Sequence, residues 1–122
     1  MILNEFQVKE YLYNAGFRGI DLNAAVKIAN CESNFNTQAH NITGEDSRGL
    51  MQINVNAHPE LIFQDLFNPQ INANAAYKIY LQSGKNFSAW TCAKQLNLVK
   101  PGNLYFGMAL VFIAGIIYVR GV

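Results

Sequence analysis

Glu32 is the residue whose type and placement point most directly to chemistry. Leu22, Ala25 and Ala29 precede it by ten, seven and three residues, the spacing of one helix face, so its carboxyl continues a buried stripe. Burial disfavours the anion and raises the pKa. The group can then hold a proton near neutrality, give it up as a general acid and afterwards take one as a base. Cleaving a glycosidic bond requires that pair of actions. The alternative is a Glu in a frayed last turn, pointing to water as most do.

Ser33 follows, and after a polar loop comes Gly49-Leu50-Met51-Gln52-Ile53-Asn54. The Gln52 amide offers both a donor and an acceptor to the N-acetyl and hydroxyl groups of a glycan, and Gly49 lets the backbone approach a ligand. The Ser33 hydroxyl bonds either a sugar or its own helix backbone, whereas Leu50 and Met51 pack beneath. Trp90 has a flat apolar face and one N–H, which suit a sugar-stacking wall; core packing is its alternative role. Cys31 adjoins Glu32, and Cys92 lies two residues beyond Trp90. If their helices pack together, a bridge would close a long loop and stabilise by about 4 kcal/mol; otherwise they are two buried thiols. His40 and His58 fall in no ligand spacing, so neither a metal nor a cofactor is expected.

The 122 residues suit one small domain, and a net charge of +1 gives no basic field for nucleic acid. The periodicity over residues 1–99 is helical. A first helix is predicted from Glu5 to Ala15, with Asn4 as cap, Val8, Tyr11, Leu12 and Ala15 inward, and Gly16 as stop. A second starts near Asp21 as cap and buries Leu22, Ala25, Val26 and Ala29. A third is announced by Asn68-Pro69, carries Ala73, Ala76, Tyr77, Tyr80 and Leu81 on one stripe, and ends at Ser83-Gly84. Shorter helices are predicted from Pro59, including Leu61, Ile62 and Leu66, and over Ala89–Leu96.

Residues 100–122 form a separate unit. Leu104 to Val119 is sixteen residues without a charged, His or amide side chain. As a helix the run would be roughly 24 Å long, a little short of the hydrocarbon layer, with Pro101–Asn103 adding to it. Lys100 and Arg120 flank it, and Tyr105 and Tyr118 sit near its ends as an aromatic belt would. A C-terminal membrane anchor is the expectation, a buried core helix the alternative. Met1–Phe6 has neither a basic start nor a long apolar run, so no secretory signal is expected.

Glu32-Ser33 followed by Gly49-Leu50-Met51-Gln52 resembles the lysozyme-like lytic transglycosylase family. Asn72–Tyr80 (NANAAYKIY) is similar to the later helix that backs that family's site, and the resemblance spans roughly residues 20–96. It implies a mainly α, lysozyme-like domain at 1–99. It also implies Glu32 as the single acid and base cutting the bond between N-acetylmuramic acid and N-acetylglucosamine, with peptidoglycan as partner. Tyr77 would lie behind Glu32 and orient it, core packing being its alternative. The family's Ala-Tyr-Asn is replaced here by Ala89-Trp90-Thr91, which leaves a glycan-binding or structural role without cleavage as the rival function. Hydrolysis would usually require a second carboxylate, for which Glu45 and Asp46 are nearest in sequence. A wall-cutting domain with a lipid-bilayer anchor at 104–119 and no signal suggests a virion membrane of a lipid-containing phage, with other virion membrane or capsid proteins as neighbours. The bacterial inner membrane, facing the periplasm, is the other location considered.

Overall fold

The computed structural model describes residues 1–100. The proposed anchor at 104–119 lies outside the described residues, and among those described no helix is long and apolar enough to cross a membrane.

Helix α1 (Glu5–Ala15) begins with a reciprocal cap: Asn4 Oδ1 accepts the Gln7 amide at 2.8 Å, and Gln7 Oε1 accepts the Asn4 amide at 2.9 Å. Val8 and Leu12 are fully buried, with Tyr11 and Ala15 partly so. Gly16 stops the helix at φ +133°, where a Cβ would fall 2.5 Å from the Tyr77 ring.

Helix α2 (Gly19–Ser33) starts before the expected Asp21, with Arg18 in the cap position and no side-chain cap. Arg18 instead closes α1: its guanidinium donates to the Tyr13 and Phe17 carbonyls at 2.7 and 2.8 Å and lies 3.7 Å from the centre of the Tyr13 ring. Asp21 is thereby released from capping, and its carboxylate accepts from the Tyr80 hydroxyl. Leu22, Ala25, Val26 and Ala29 are buried as expected.

The polar stretch after α2 holds a small sheet that the helical periodicity did not announce. Its strands are β1 (His40–Asn41), β2 (Ser47–Arg48) and β3 (Ile53–Asn54), antiparallel in the order β1-β2-β3, with His40 opposite Arg48 and Arg48 opposite Ile53. Two residues per strand are too few to leave an alternating pattern. Pro59–Leu61 is a single 3₁₀ turn, with Leu66 buried beyond it and Ile62 largely exposed.

Helix α3 (Pro69–Gln82) begins and ends where the sequence predicts, with Asn68 Oδ1 accepting the Gln70 and Ile71 amides at 2.9 and 3.1 Å. Ala73, Ala76 and Tyr80 of the expected stripe are buried and Tyr77 partly so, but the buried face also takes in Asn72, Ala75 and Ile79 and leaves Leu81 exposed. Asn68→Ala is expected to cost about 1 kcal/mol by loss of this cap, readable as a lower urea midpoint. Helix α4 (Thr91–Gln95) is shorter than predicted. Helix α1 packs on α2 and α3, α2 on α4, and α3 against β3. Between them Phe17, Tyr77, Tyr80, Phe87 and Trp90 form a chain of ring contacts with centroids 5.0 to 5.9 Å apart. This is a small, mainly helical domain with one apolar core.

Candidate active site

Glu32 is the penultimate residue of α2 and is half-buried. Its Oε2 accepts the backbone N–H of Cys92, at the start of α4, at 3.2 Å. Burial raises the carboxyl above the ordinary glutamate value. The Cys92 amide opposes this, and the negative charge of Glu45, in the β1–β2 loop, adds to it. The bridge between Cys31 and Cys92 is formed, with Cα atoms 6.0 Å apart. The acid's helix and the start of α4 are therefore joined by a covalent bond and a hydrogen bond at adjacent positions.

The Gly49–Gln52 segment lies beside this junction, and three of the side chains singled out as glycan contacts are engaged in holding it. Gln52 Nε2 donates to Gly49 O and Ala39 O, both at 3.0 Å. The buried Ser33 hydroxyl lies 2.7 Å from Leu50 O and 3.0 Å from Ala29 O. Trp90 Nε1 donates to Met51 O at 2.8 Å. Three successive carbonyls, at 49, 50 and 51, thus each have a side-chain donor, as buried backbone oxygens require. From the other side Asn72 Oδ1 accepts the Met51 amide at 2.8 Å, while its Nδ2 donates to Arg48 O and Leu66 O, both at 2.8 Å.

These contacts change several expected roles. Ser33 cannot offer its proton to a sugar while Leu50 O takes it. Both Gln52 amide protons are used, which leaves Oε1 as its acceptor for a ligand. Gly49, at φ +76°, is needed because a Cβ would come 2.1 Å from Leu66 O and 2.5 Å from Asn72 Nδ2; the close backbone is the protein's own, not a ligand's. Trp90 is 4% exposed, so its ring is core rather than an open stacking wall. Trp90→Phe should therefore lower stability by about 1–3 kcal/mol by stranding Met51 O, a loss a surface sugar platform would not produce, checked by urea unfolding followed by circular dichroism.

Tyr77 packs on Phe17 and over Gly16, beside the start of α2. Glu32 is at the other end of that helix, about 20 Å away at 1.5 Å per residue, so Tyr77 belongs to the aromatic core and does not orient the acid. Sequence reasoning missed Asn72, whose signal was available: a polar side chain in register with Ala76 and Ile79 on a buried face. The Cys92 amide had no signal, because a backbone donor leaves none.

The two loop carboxylates differ. Asp46 accepts from Arg48 Nε and Nη2 at 3.0 and 2.9 Å and pairs with His40 at 2.8 Å, which holds its pKa at about 2. It is too weak a base for proton transfer near neutrality. Glu45 is bound by the Ser47 hydroxyl at 2.5 Å and by Asn41 at 3.4 Å, and it is the one whose charge reaches Glu32. Among the described residues no three His, Cys, Asp or Glu side chains are grouped to hold a metal ion.

The site is thus a half-buried glutamate at a helix end, beside a braced backbone segment. The family model described as lysozyme like domain matches residues 9–92, well over half of the chain, and the chain belongs to this family. That membership supports peptidoglycan as substrate and a muramidase or lytic transglycosylase in general. No curated protein and no solved structure matches.

Proposed function

We propose that this protein is a peptidoglycan lytic transglycosylase in which Glu32 alone serves as acid and base. Protonated Glu32 gives its proton to the glycosidic oxygen between N-acetylmuramic acid and N-acetylglucosamine, and the C1–O bond breaks. The resulting carboxylate then takes the proton of the muramyl C6 hydroxyl, whose oxygen bonds to C1 and closes a 1,6-anhydro ring without consuming water. The observation that carries this reading is the half-buried Glu32 carboxyl, raised in pKa yet held by a single amide. Mass spectrometry of muropeptides released by the full chain tests it: 1,6-anhydro ends are expected, and no release at all would leave glycan binding as the function.

Glu45 favours a second reading, hydrolysis. Its charge acts on Glu32, and a second carboxylate could activate a water on the opposite sugar face, as inverting enzymes do. Reducing ends in the same digest would select it.

The apolar run 104–119, flanked by Lys100 and Arg120, supports attachment to a lipid bilayer. We place the protein in the membrane of a lipid-containing phage particle, alongside other virion membrane or capsid proteins, where it would open the wall during entry. Its presence in purified particles is the expected result; its occurrence only in uninfected cells would move it to the bacterial inner membrane.

A further inference from the structure

Cys31, the chain neighbour of Glu32, is bonded to Cys92, and the amide of that same Cys92 is the donor on the Glu32 carboxylate at 3.2 Å. Helix α4, which carries Cys92, has five residues, too few to hold its own shape without tertiary ties. Its ties are the disulfide, the Trp90 bond to Met51 O, and the burial of Ala93. Of these three, only the disulfide is made by Cys92 itself, the residue whose N–H meets Glu32. Cys31 is exposed, whereas Cys92 is buried, so a reductant can reach the bridge from the α2 side.

The geometry points to a redox-sensitive clamp in which the Cys31–Cys92 bridge holds the Cys92 amide on Glu32, and reduction by a dithiol switches cleavage off with α1, α2 and α3 still packed. This rests on Glu32 being the acid proposed above. The exchange balances: the dithiol delivers two electrons and two protons, leaving thiols at Cys31 and Cys92 and one disulfide in the reductant. A protein of this design would be idle in a reducing compartment and active in an oxidising one.

Released from the bridge, the start of α4 neither covers Glu32 nor donates to it. Burial is the larger of those two influences and the amide the smaller, while the field of Glu45 from the β1–β2 loop stays. Both influences change when the bridge is cut, so the Glu32 midpoint should move. The full chain in detergent micelles, labelled with carbon-13 at the glutamate carboxyls, allows this to be followed by NMR, with Glu32 assigned from the signal missing in Glu32→Gln. Titrations would compare the oxidised protein, the protein reduced with dithiothreitol, and the Cys31→Ser/Cys92→Ser double variant, with circular dichroism monitoring the fold.

The expected result is a shifted Glu32 midpoint and a kcat reduced about 100-fold, in the range one acid–base group contributes, with KM little changed and both restored on reoxidation. A midpoint that stays put in a reduced, folded protein would overturn the clamp, as would a rate loss that only tracks loss of helical signal. If reduction moves the midpoint while even the oxidised form releases no muropeptide, the clamp holds and the assigned activity fails.

Discussion

Glu32→Gln is expected to slow peptidoglycan cleavage by about 10²- to 10⁴-fold, the share a positioned general acid–base contributes, while unfolding free energy stays within about 1 kcal/mol of the parent. The amide keeps the shape of the carboxyl, and its Oε1 can still accept the Cys92 N–H, which stands 3.2 Å from the native oxygen. What it lacks is a proton to give. A turbidity assay on purified peptidoglycan, with urea unfolding on the same preparations, reads both quantities; equal clearing by the two proteins would remove Glu32 from the mechanism. The pH profile carries a second check, with its sign fixed by the structure. The acid acts when protonated, so the rate must fall as pH rises through the Glu32 pKa, which burial and Glu45 place above the ordinary glutamate value. Glu45→Gln removes one of those two upward influences, so it should move that limb to lower pH.

The ends of the helices were legible in the sequence where a side chain writes them. Asn4, Gly16, and Asn68 with Pro69 fix the limits of α1 and the start of α3, because capping is a local exchange between neighbours. Asp21 misled for the opposite reason. It has a capping residue's chemistry, but Tyr80, 59 positions away, takes its carboxylate. The sheet was illegible because its two-residue strands are specified by the loop around them, including the Arg48–Asp46–His40 cluster, and not by alternation.

In the site, the residue types were legible as chemically loaded, while the sequence left Ser33 open between a sugar and its own helix backbone, and Trp90 between a sugar wall and the core. A hydroxyl, an amide and an indole around a buried Gly-Leu-Met backbone suit sugar and carbonyl equally well, and only the fold decides between them. Here it gives one to each carbonyl of 49, 50 and 51. The acid is therefore presented by second-hand rigidity. Glu32 is held in place because Ser33 beside it grips Leu50 O and Cys92 opposite grips its oxygen, so any change that loosens the Gly49–Met51 backbone should reach the chemistry without touching a substrate.

Asn72→Ala is the sharpest form of that argument. Asn72 is 0% exposed and makes three hydrogen bonds of 2.8 Å, to the Met51 amide and the Arg48 and Leu66 carbonyls. Truncation takes a partner from the buried Met51 amide, the buried Leu66 carbonyl and the partly buried Arg48 carbonyl, a loss of about 3–5 kcal/mol at the usual cost of unsatisfied groups. Against a typical domain stability of about 5–15 kcal/mol, this removes much of the margin. Asn72→Asp should not rescue it. The carboxylate keeps the acceptor for Met51 but sets an oxygen against two carbonyls, and a buried anion costs more than the amide it replaces. Even at a temperature where Asn72→Ala remains folded, its cleavage rate should fall about ten-fold, since 1.4 kcal/mol of lost positioning at the Leu50–Ser33 contact is enough for that. Gly49→Ala offers a cross-check. Its Cβ would meet Asn72 Nδ2 at 2.5 Å as well as Leu66 O at 2.1 Å, so removing the Asn72 side chain relieves one of the two clashes. The double variant should therefore lose about 1 kcal/mol less than the sum of the singles. Strict additivity in denaturant unfolding would mean that Gly49 and Asn72 do not brace the same backbone.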